Sequence, residues 1–362
     1  MKYPWGRGHM PSLDGWRAFS ILLVLGGHCI NTYNFPAEWA PAFGWLFDGS
    51  FGVRCFFLIS GFLITTLMLR ETAGKGKLSL RGFYLRRAIR ILPVYCAFLA
   101  VVAVLEWSTT FSNSRLQWIH LVTFTTNFSF ASNWLTGHTW SLSCEEQFYL
   151  LWPVLYLFLT NDVARRRGVY LFVSTMVVCP IWRVAAYTEV IPDPGYSLPN
   201  YLDTLAVGCM LAYVHPWLGR NVGSLHARSI TILSVFAVAI PYVLEHSQKF
   251  GILTIPMAYP FQAFGLAWFI SLSVHYPTTG LFSMLNAKPV IWLGTLSYSI
   301  YIWQQLFCTD PSVFGWKTTW FQSFQLWIPA SLVTACTSYY LLERPFLRVR
   351  RLLRKEPIRI NN

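Results

Sequence analysis

LDGWRAFSILLVLGGH, residues 13–28, is the stretch from which the rest of the chain can be read. It starts polar, turns apolar within a few residues, and carries two ionisable side chains, Arg17 and His28, eleven positions apart. On a helix rising about 1.5 Å per residue, that spacing is roughly 16 Å along the axis and about three turns, so both side chains lie on nearly the same face. If this helix spans a bilayer, Arg17 sits at one interface and His28 near mid-depth. An ionisable group kept inside a membrane is costly and marks a functional site by default. The plainer reading is that His28 only hydrogen-bonds a neighbouring helix.

Composition puts that helix in a membrane protein. The 362 residues are 54% hydrophobic and 12% charged, against roughly 25% charged in soluble domains. The 17 Trp, 18 Tyr and 28 Phe suit interface belts as well as a packed core. A net charge of +13 would fit nucleic acid. The basic residues instead cluster at the ends of apolar runs, which is the positive-inside pattern, so no nucleic-acid partner is expected. The eight cysteines stand singly and form no C-x-x-C, so neither a zinc site nor a disulfide framework is expected. Lys2, Arg7 and a short apolar core imitate a signal peptide, but no small-residue cleavage site follows His28 and the first helix is read as retained.

A crossing needs about 20 mostly apolar residues. By that measure the chain is all-α with about ten transmembrane helices, near 14–33, 49–69, 90–107, 138–160, 168–188, 200–217, 229–245, 252–275, 290–308 and 321–342. The connector from Arg70 to Arg90 holds Lys75, Lys77, Arg81, Arg86 and Arg87 and must be cytoplasmic. Arg165–Arg167, Arg220, Arg228, Lys288 and the tail from Arg344 through Arg348, Arg350, Arg351, Arg354, Lys355 and Arg359 fall on the same side, so both termini come out cytoplasmic. Segment 108–136 is polar around a weak apolar patch, Trp118 to Phe128, and reads as interfacial or re-entrant. One transmembrane domain is expected over 1–362, with a core of about 13–348, a basic tail of about 344–362 and no second domain. No internal repeat is visible, which weakens a transporter reading.

Four constellations bring polar groups to these spans. Arg17 with His28 is the first. The second is Arg86, Arg87 and Arg90, where Arg86 and Arg90 share a helix face and Arg87 lies beside it. Three guanidiniums there could clamp phosphates through bidentate, charge-assisted hydrogen bonds. The alternative is that they only hold the connector inside, a task lysine would do equally well. The third is GHTWSLSCEEQFYLLWP, residues 137–153, with Glu145 and Glu146 opening an apolar span near His138, Ser141, Ser143 and Gln147. Acids favour a helix N-terminus anyway, but this is more polarity than capping requires. A carboxylate here could orient His28. The fourth is diffuse: Arg183, Asp203, Ser297, Tyr298 and Tyr301. An Arg183–Asp203 ion pair would be structural, and the tyrosines alone read as core. No G-x-S-x-G, P-loop, H-E-x-x-H or dinucleotide fingerprint occurs, which disfavours a serine hydrolase, an ATPase and a zinc protease.

LDGWRAFSILLVLGGH, VRCFFLISGFLITTL, FYLRRAIRILPVY, HTWSLSCEEQFYLLWP, LGTLSYSIYIWQ and YYLLERPF resemble, in order and spacing, acyltransferase family three, and the likeness runs from Leu13 to about Arg348. The resemblance implies an integral-membrane enzyme that takes an acyl group, often acetyl, from acyl-coenzyme A. It passes that group to a hydroxyl, commonly on a surface carbohydrate. The family's R-x10-H motif maps onto Arg17 and His28, its R-x-x-R onto Arg87 and Arg90, and its S-x-E-x-x-F onto Ser143, Glu145 and Phe148. Many members have arginine where Tyr201 stands and histidine where Gln304 stands; both departures bear on subfamily and acceptor. No esterase-like domain is appended, so the chain resembles the stand-alone type. The expected roles are then His28 as general base, Glu145 holding its tautomer, and Arg17 helping to grip coenzyme A or neutralise an oxyanion. Arg86, Arg87 and Arg90 would hold the coenzyme A phosphates, and Trp140, Ser143, Glu146 and Tyr298 would contact substrate. No metal is needed. The acyl group could pass directly or be relayed across a membrane, expected to be a bacterial plasma membrane. A non-sugar small molecule as acceptor, a carrier or flippase for an acylated glycan, and a membrane-embedded sensor or scaffold remain as alternatives.

Overall fold

Within apolar surroundings a backbone N–H or C=O must find its partner inside its own segment, so apolar runs of this length fold as helices. The computed structural model describes residues 10–130, 133–159, 162–221, 225–317 and 319–353. Among them there is no strand. A backbone bridge joins Tyr33 to Ser323 and ties two loops together. Each expected span falls on a helix: α1 Pro11–His28, α2 Gly49–Lys75, α3 Leu80–Ser108, α4 Thr139–Phe158, α5 Asp162–Tyr187, α6 Leu202–Asn221, α7 Leu225–His246, α8 Gly251–His275, α9 Lys288–Phe307 and α10 Trp327–Ser338. Segment 108–136 holds only a nine-residue helix, Arg115–Thr123, a 3-10 turn at Thr126–Phe128 and one turn at Trp134–Gly137. Lys2, Arg7, Arg354, Lys355 and Arg359, and the side chains of Arg165, Arg166, Arg220, Arg350 and Arg351, lie outside the described residues.

Among the described residues five stretches are long and apolar enough to cross a membrane: Ala37–Lys75, Leu80–Ser108, Arg167–Tyr187, Arg228–His246 and Gly251–His275. α1, α4 and α9 are less apolar because they carry Asp14 and Arg17, Glu145 to Gln147, and Gln304 and Gln305; α10 has only 12 residues. The helices that fall short are largely those that carry the polar constellations. The basic connector is also not a loop: α3 begins at Leu80, capped by Ser79 Oγ on the Gly82 N–H, so its arginines project from a continuous helix.

α2 and α8 lie centrally, with 72% and 67% of their most apolar stretches buried, while α7 is outermost at 6%. α1 packs on α9 and α2, α2 on α6, and α8 on α6 and α7. The α2–α6 crossing depends on two glycines. A Cβ on Gly61 would overlap the Leu205 carbonyl, and one on Gly208 the Leu58 carbonyl, so each backbone lies in the other's gap. Arg183 joins α5, α6 and α8. It pairs with Asp203 at 2.7 Å, both side chains buried, as the sequence suggested. It also donates to Asn200 O and Pro256 O, each at 2.7 Å, and to Ile255 O at 3.1 Å. Pro260 has no N–H to offer the Pro256 carbonyl, and the guanidinium supplies that missing donor.

Candidate active site

α1 stops at His28, where the chain tightens into a 3-10 turn over Cys29–Asn31. Cys29 Sγ donates to Gly26 O at 2.8 Å and Thr32 Oγ1 to Cys29 O at 2.6 Å, satisfying carbonyls that the ended helix leaves open. His28 therefore sits at the C-terminal end of its helix. Gly27 lets the chain return closely: a Cβ there would lie 2.9 Å from Gly49 N and Phe47 O. The start of α2 is thereby brought against the imidazole, and a Cβ built on Gly49 would lie 3.8 Å from Nε2. Nδ1 meets Gln304 Oε1 of α9 at 3.1 Å. The Trp134 ring stands edge-on to the imidazole, centroids 5.2 Å apart, and its Nε1 donates to Cys308 O at 3.1 Å. Nε2 has no hydrogen-bond partner among the described residues.

Nearer the other end of α1, Arg17 pairs with Asp14 at 3.1 Å and is 17% exposed. It lies within coulombic range of Arg90 and Tyr149, and Arg87 within range of Arg90, Glu145 and Glu146. The Arg87 guanidinium covers the Tyr149 ring at 4.4 Å. Neither Arg87 nor Arg90 forms an ion pair among the described residues. Arg86 departs from the expected clamp. It is bound to Glu71, at the end of α2, at 2.5 Å, because a carboxylate from the preceding helix reaches it first.

Polar side chains lie between the two ends. Glu145 accepts from Ser60 Oγ at 2.7 Å and Tyr149 O–H at 3.1 Å, so Gln304 and not Glu145 holds the imidazole. The reason is distance: Glu145 meets α2 at Ser60, eleven residues and about 16 Å of helix rise from Gly49, which lies against His28. Glu146 Oε1 is buried without a hydrogen-bond partner among the described residues and lies within coulombic range of Arg87 and Tyr298. Tyr298 O–H donates to Ile91 O, one residue past Arg90, at 2.7 Å. Tyr301 O–H donates to His138 O at 2.7 Å and meets Ser141 Oγ at 2.5 Å. Tyr298, Tyr301 and Gln304 follow one another at steps of three on α9 and cover about 9 Å of helix rise. They link the arginines to the imidazole. Ser143 is closed off: it is fully buried, with its Oγ on Thr126 Oγ1 at 2.7 Å and on Thr139 O at 3.1 Å. It fastens α4 to the neighbouring turn and faces no open space. Trp140 packs against Tyr196 and Tyr201, ring centroids 4.8 and 5.1 Å away.

Sequence reasoning gave no role to Ser60, Tyr149 or Trp134, and marked Gln304 only as a departure from the family's histidine that bears on subfamily and acceptor. Tyr149 was within reach of it, one turn from Glu145. Gln304 continues the step of three begun by Tyr298 and Tyr301 in an apolar helix. Trp134 carried no such signal.

A family model described as an acyltransferase domain matches residues 10–343. YrhL of Bacillus subtilis is 27% identical over 93% of this chain and 55% of its own length. The peptidoglycan O-acetyltransferase OatA of Listeria monocytogenes is 25% identical over 94% of this chain and 56% of its own. The O-acetyltransferase OatA of Staphylococcus aureus is 28% identical over 82% and 50%. The chain thus spans about half the length of the curated relatives it matches. No solved structure matches.

Proposed function

Because the chain belongs to this acyltransferase family, we propose that it is an acyl-coenzyme A-dependent O-acyltransferase of a bacterial plasma membrane. It moves an acyl group, acetyl in this reading, to a hydroxyl of a cell-surface carbohydrate. Peptidoglycan is the acceptor that the names of its relatives favour. The domain spans 1–362, crosses the membrane ten times and keeps both termini inside.

One observation carries this reading: an imidazole nitrogen without a hydrogen-bond partner and two arginines without ion pairs, among the described residues, lie toward opposite ends of one set of helices, with hydrogen-bonding side chains between them. Arg87 and Arg90 bind the coenzyme A phosphates. Arg17 joins that grip, since roughly 16 Å of helix axis separates it from His28 and from any oxyanion formed there. The pantetheine arm runs along Tyr298 and Tyr301, and Glu146 Oε1 accepts from one of its N–H or O–H groups. At the far end His28 Nε2 takes the proton of the acceptor hydroxyl as its oxygen attacks the thioester carbonyl carbon. Collapse of the tetrahedral intermediate breaks the C–S bond. The leaving thiolate takes the proton from the imidazolium and departs as coenzyme A, leaving the ester on the glycan.

The test is transfer from radiolabelled acetyl-coenzyme A by purified protein in lipid, with peptidoglycan and polysaccharide extracts as acceptors. Label should reach glycan with the parent protein. His28→Ala should lose about 10²- to 10⁴-fold in rate, the usual contribution of a positioned base, while still binding coenzyme A. Full activity in His28→Ala would overturn the assignment.

A further inference from the structure

We propose that Gln304 is a positioning residue that fixes which nitrogen of His28 acts as the base. This rests on the reading of His28 as the base. Gln304 is fully buried in α9, and its Oε1 lies 3.1 Å from His28 Nδ1. An amide oxygen only accepts, so Nδ1 carries the ring proton and the lone pair stays on Nε2. Nε2 is the nitrogen that faces the start of α2 and has no hydrogen-bond partner among the described residues.

The amide is itself held in place. Just past the end of α9, Cys308 Sγ–H donates to the same Oε1 at 3.6 Å, so two donors converge on that oxygen. Gln304 Nε2 is buried without a hydrogen-bond partner among the described residues, so the side chain is held through its oxygen alone. The Cys308 carbonyl accepts from Trp134 Nε1 at 3.1 Å, and the Trp134 ring meets the imidazole edge-on. One turn of α9 therefore fixes the ring twice, through its tautomer by Gln304 and through its tilt by Trp134. A glutamine does this without bringing a second ionisable group to the base.

The experiment has a spectroscopic arm and a kinetic arm, both on the full chain in lipid. In protein carrying ¹⁵N-labelled histidine, the His28 resonances are identified by difference from His28→Ala. At mildly alkaline pH, where an imidazole is neutral, His28 should be protonated on Nδ1 in the parent and a mixture of tautomers in Gln304→Leu. In turnover, Gln304→Leu should lower kcat roughly 10- to 100-fold, the loss of one buried hydrogen bond to the base, with KM for acetyl-coenzyme A unchanged. Gln304→Glu, which keeps an acceptor oxygen, should recover most of that loss. Should Gln304→Leu fail to fold, Gln304→Asn withdraws the oxygen by one methylene and carries the same two measurements. His28 protonated on Nε2 in the parent would overturn the proposal. So would an unchanged tautomer and kcat in the variant, or no recovery with Gln304→Glu. Activity in His28→Ala would instead refute the base assignment, and the resonance arm would still judge the tautomer.

Discussion

Three neighbouring arginines, Arg86, Arg87 and Arg90, should respond differently to removal, and the difference separates donor binding from membrane topology. A bound phosphate would give Arg87 or Arg90 charge-assisted hydrogen bonds worth about 1.5–3 kcal/mol. Taking about 2 kcal/mol, Arg87→Ala or Arg90→Ala should raise KM for acetyl-coenzyme A roughly 30-fold, at 1.36 kcal/mol per decade. Arg86 is held by Glu71, and the pair is 30% and 11% exposed. Such a pair is worth about 0–1 kcal/mol and holds no donor, so Arg86→Ala should leave KM within about twofold. Arg87→Lys keeps the charge but loses both the planar fork and the stacking over Tyr149, and should fall between the two. Initial rates against donor concentration in nanodiscs, with equilibrium binding of radiolabelled coenzyme A, would read all four variants. If the arginines serve only to hold the connector inside, the three alanine variants will behave alike. An equal rise in KM for Arg86→Ala and Arg87→Ala, or no rise in any of them, would refute the clamp.

Arg183→Leu leaves Asp203 buried without its cation and returns the Pro256 carbonyl to an unpaired state. It should cost about 3–5 kcal/mol, read as a lower unfolding midpoint in detergent, while KM of the surviving folded protein stays unchanged. Ser143→Ala, despite its place in the S-x-E-x-x-F motif, should keep turnover within about twofold and cost roughly 1 kcal/mol of stability, because the hydroxyl only joins Thr126 and Thr139. Both are measured on the same nanodisc preparation.

The helix order was readable because an apolar run is a local property, and its basic flanks are local too. The Arg183–Asp203 pair was readable for a related reason: two opposite charges in successive apolar helices have few other partners. The side chain that holds His28 was not readable. Gln304 lies 276 positions from it, carries no charge, and is brought there only by the packing of α1 on α9. Glu145 was the stronger candidate on charge alone, but the α4 backbone turns it toward Ser60 and Tyr149. Arg86 and Arg90 share a helix face by spacing, and that spacing contains nothing about Glu71 on the helix before. What the sequence hides, in each case, is a partner on another helix.

In the reaction proposed above, the same packing bears on how the acyl group would pass from the arginines to His28. A relay would need a side chain between them free to take the acyl group and hand it on. The hydroxyls along that path are already committed: Tyr298 to Ile91 O, Tyr301 to His138 O and Ser141, and Tyr149 and Ser60 to Glu145. Breaking any one of these bonds would leave a buried polar group unpaired, at about 1–3 kcal/mol each. In direct transfer these side chains stay where they are and form the wall along which the donor's arm lies. In the proposed reaction the separation of Arg17 and His28 on one helix would gauge that arm, with the phosphates at one end and the thioester presented to Nε2 at the other. On that ground direct transfer is favoured over a covalent relay.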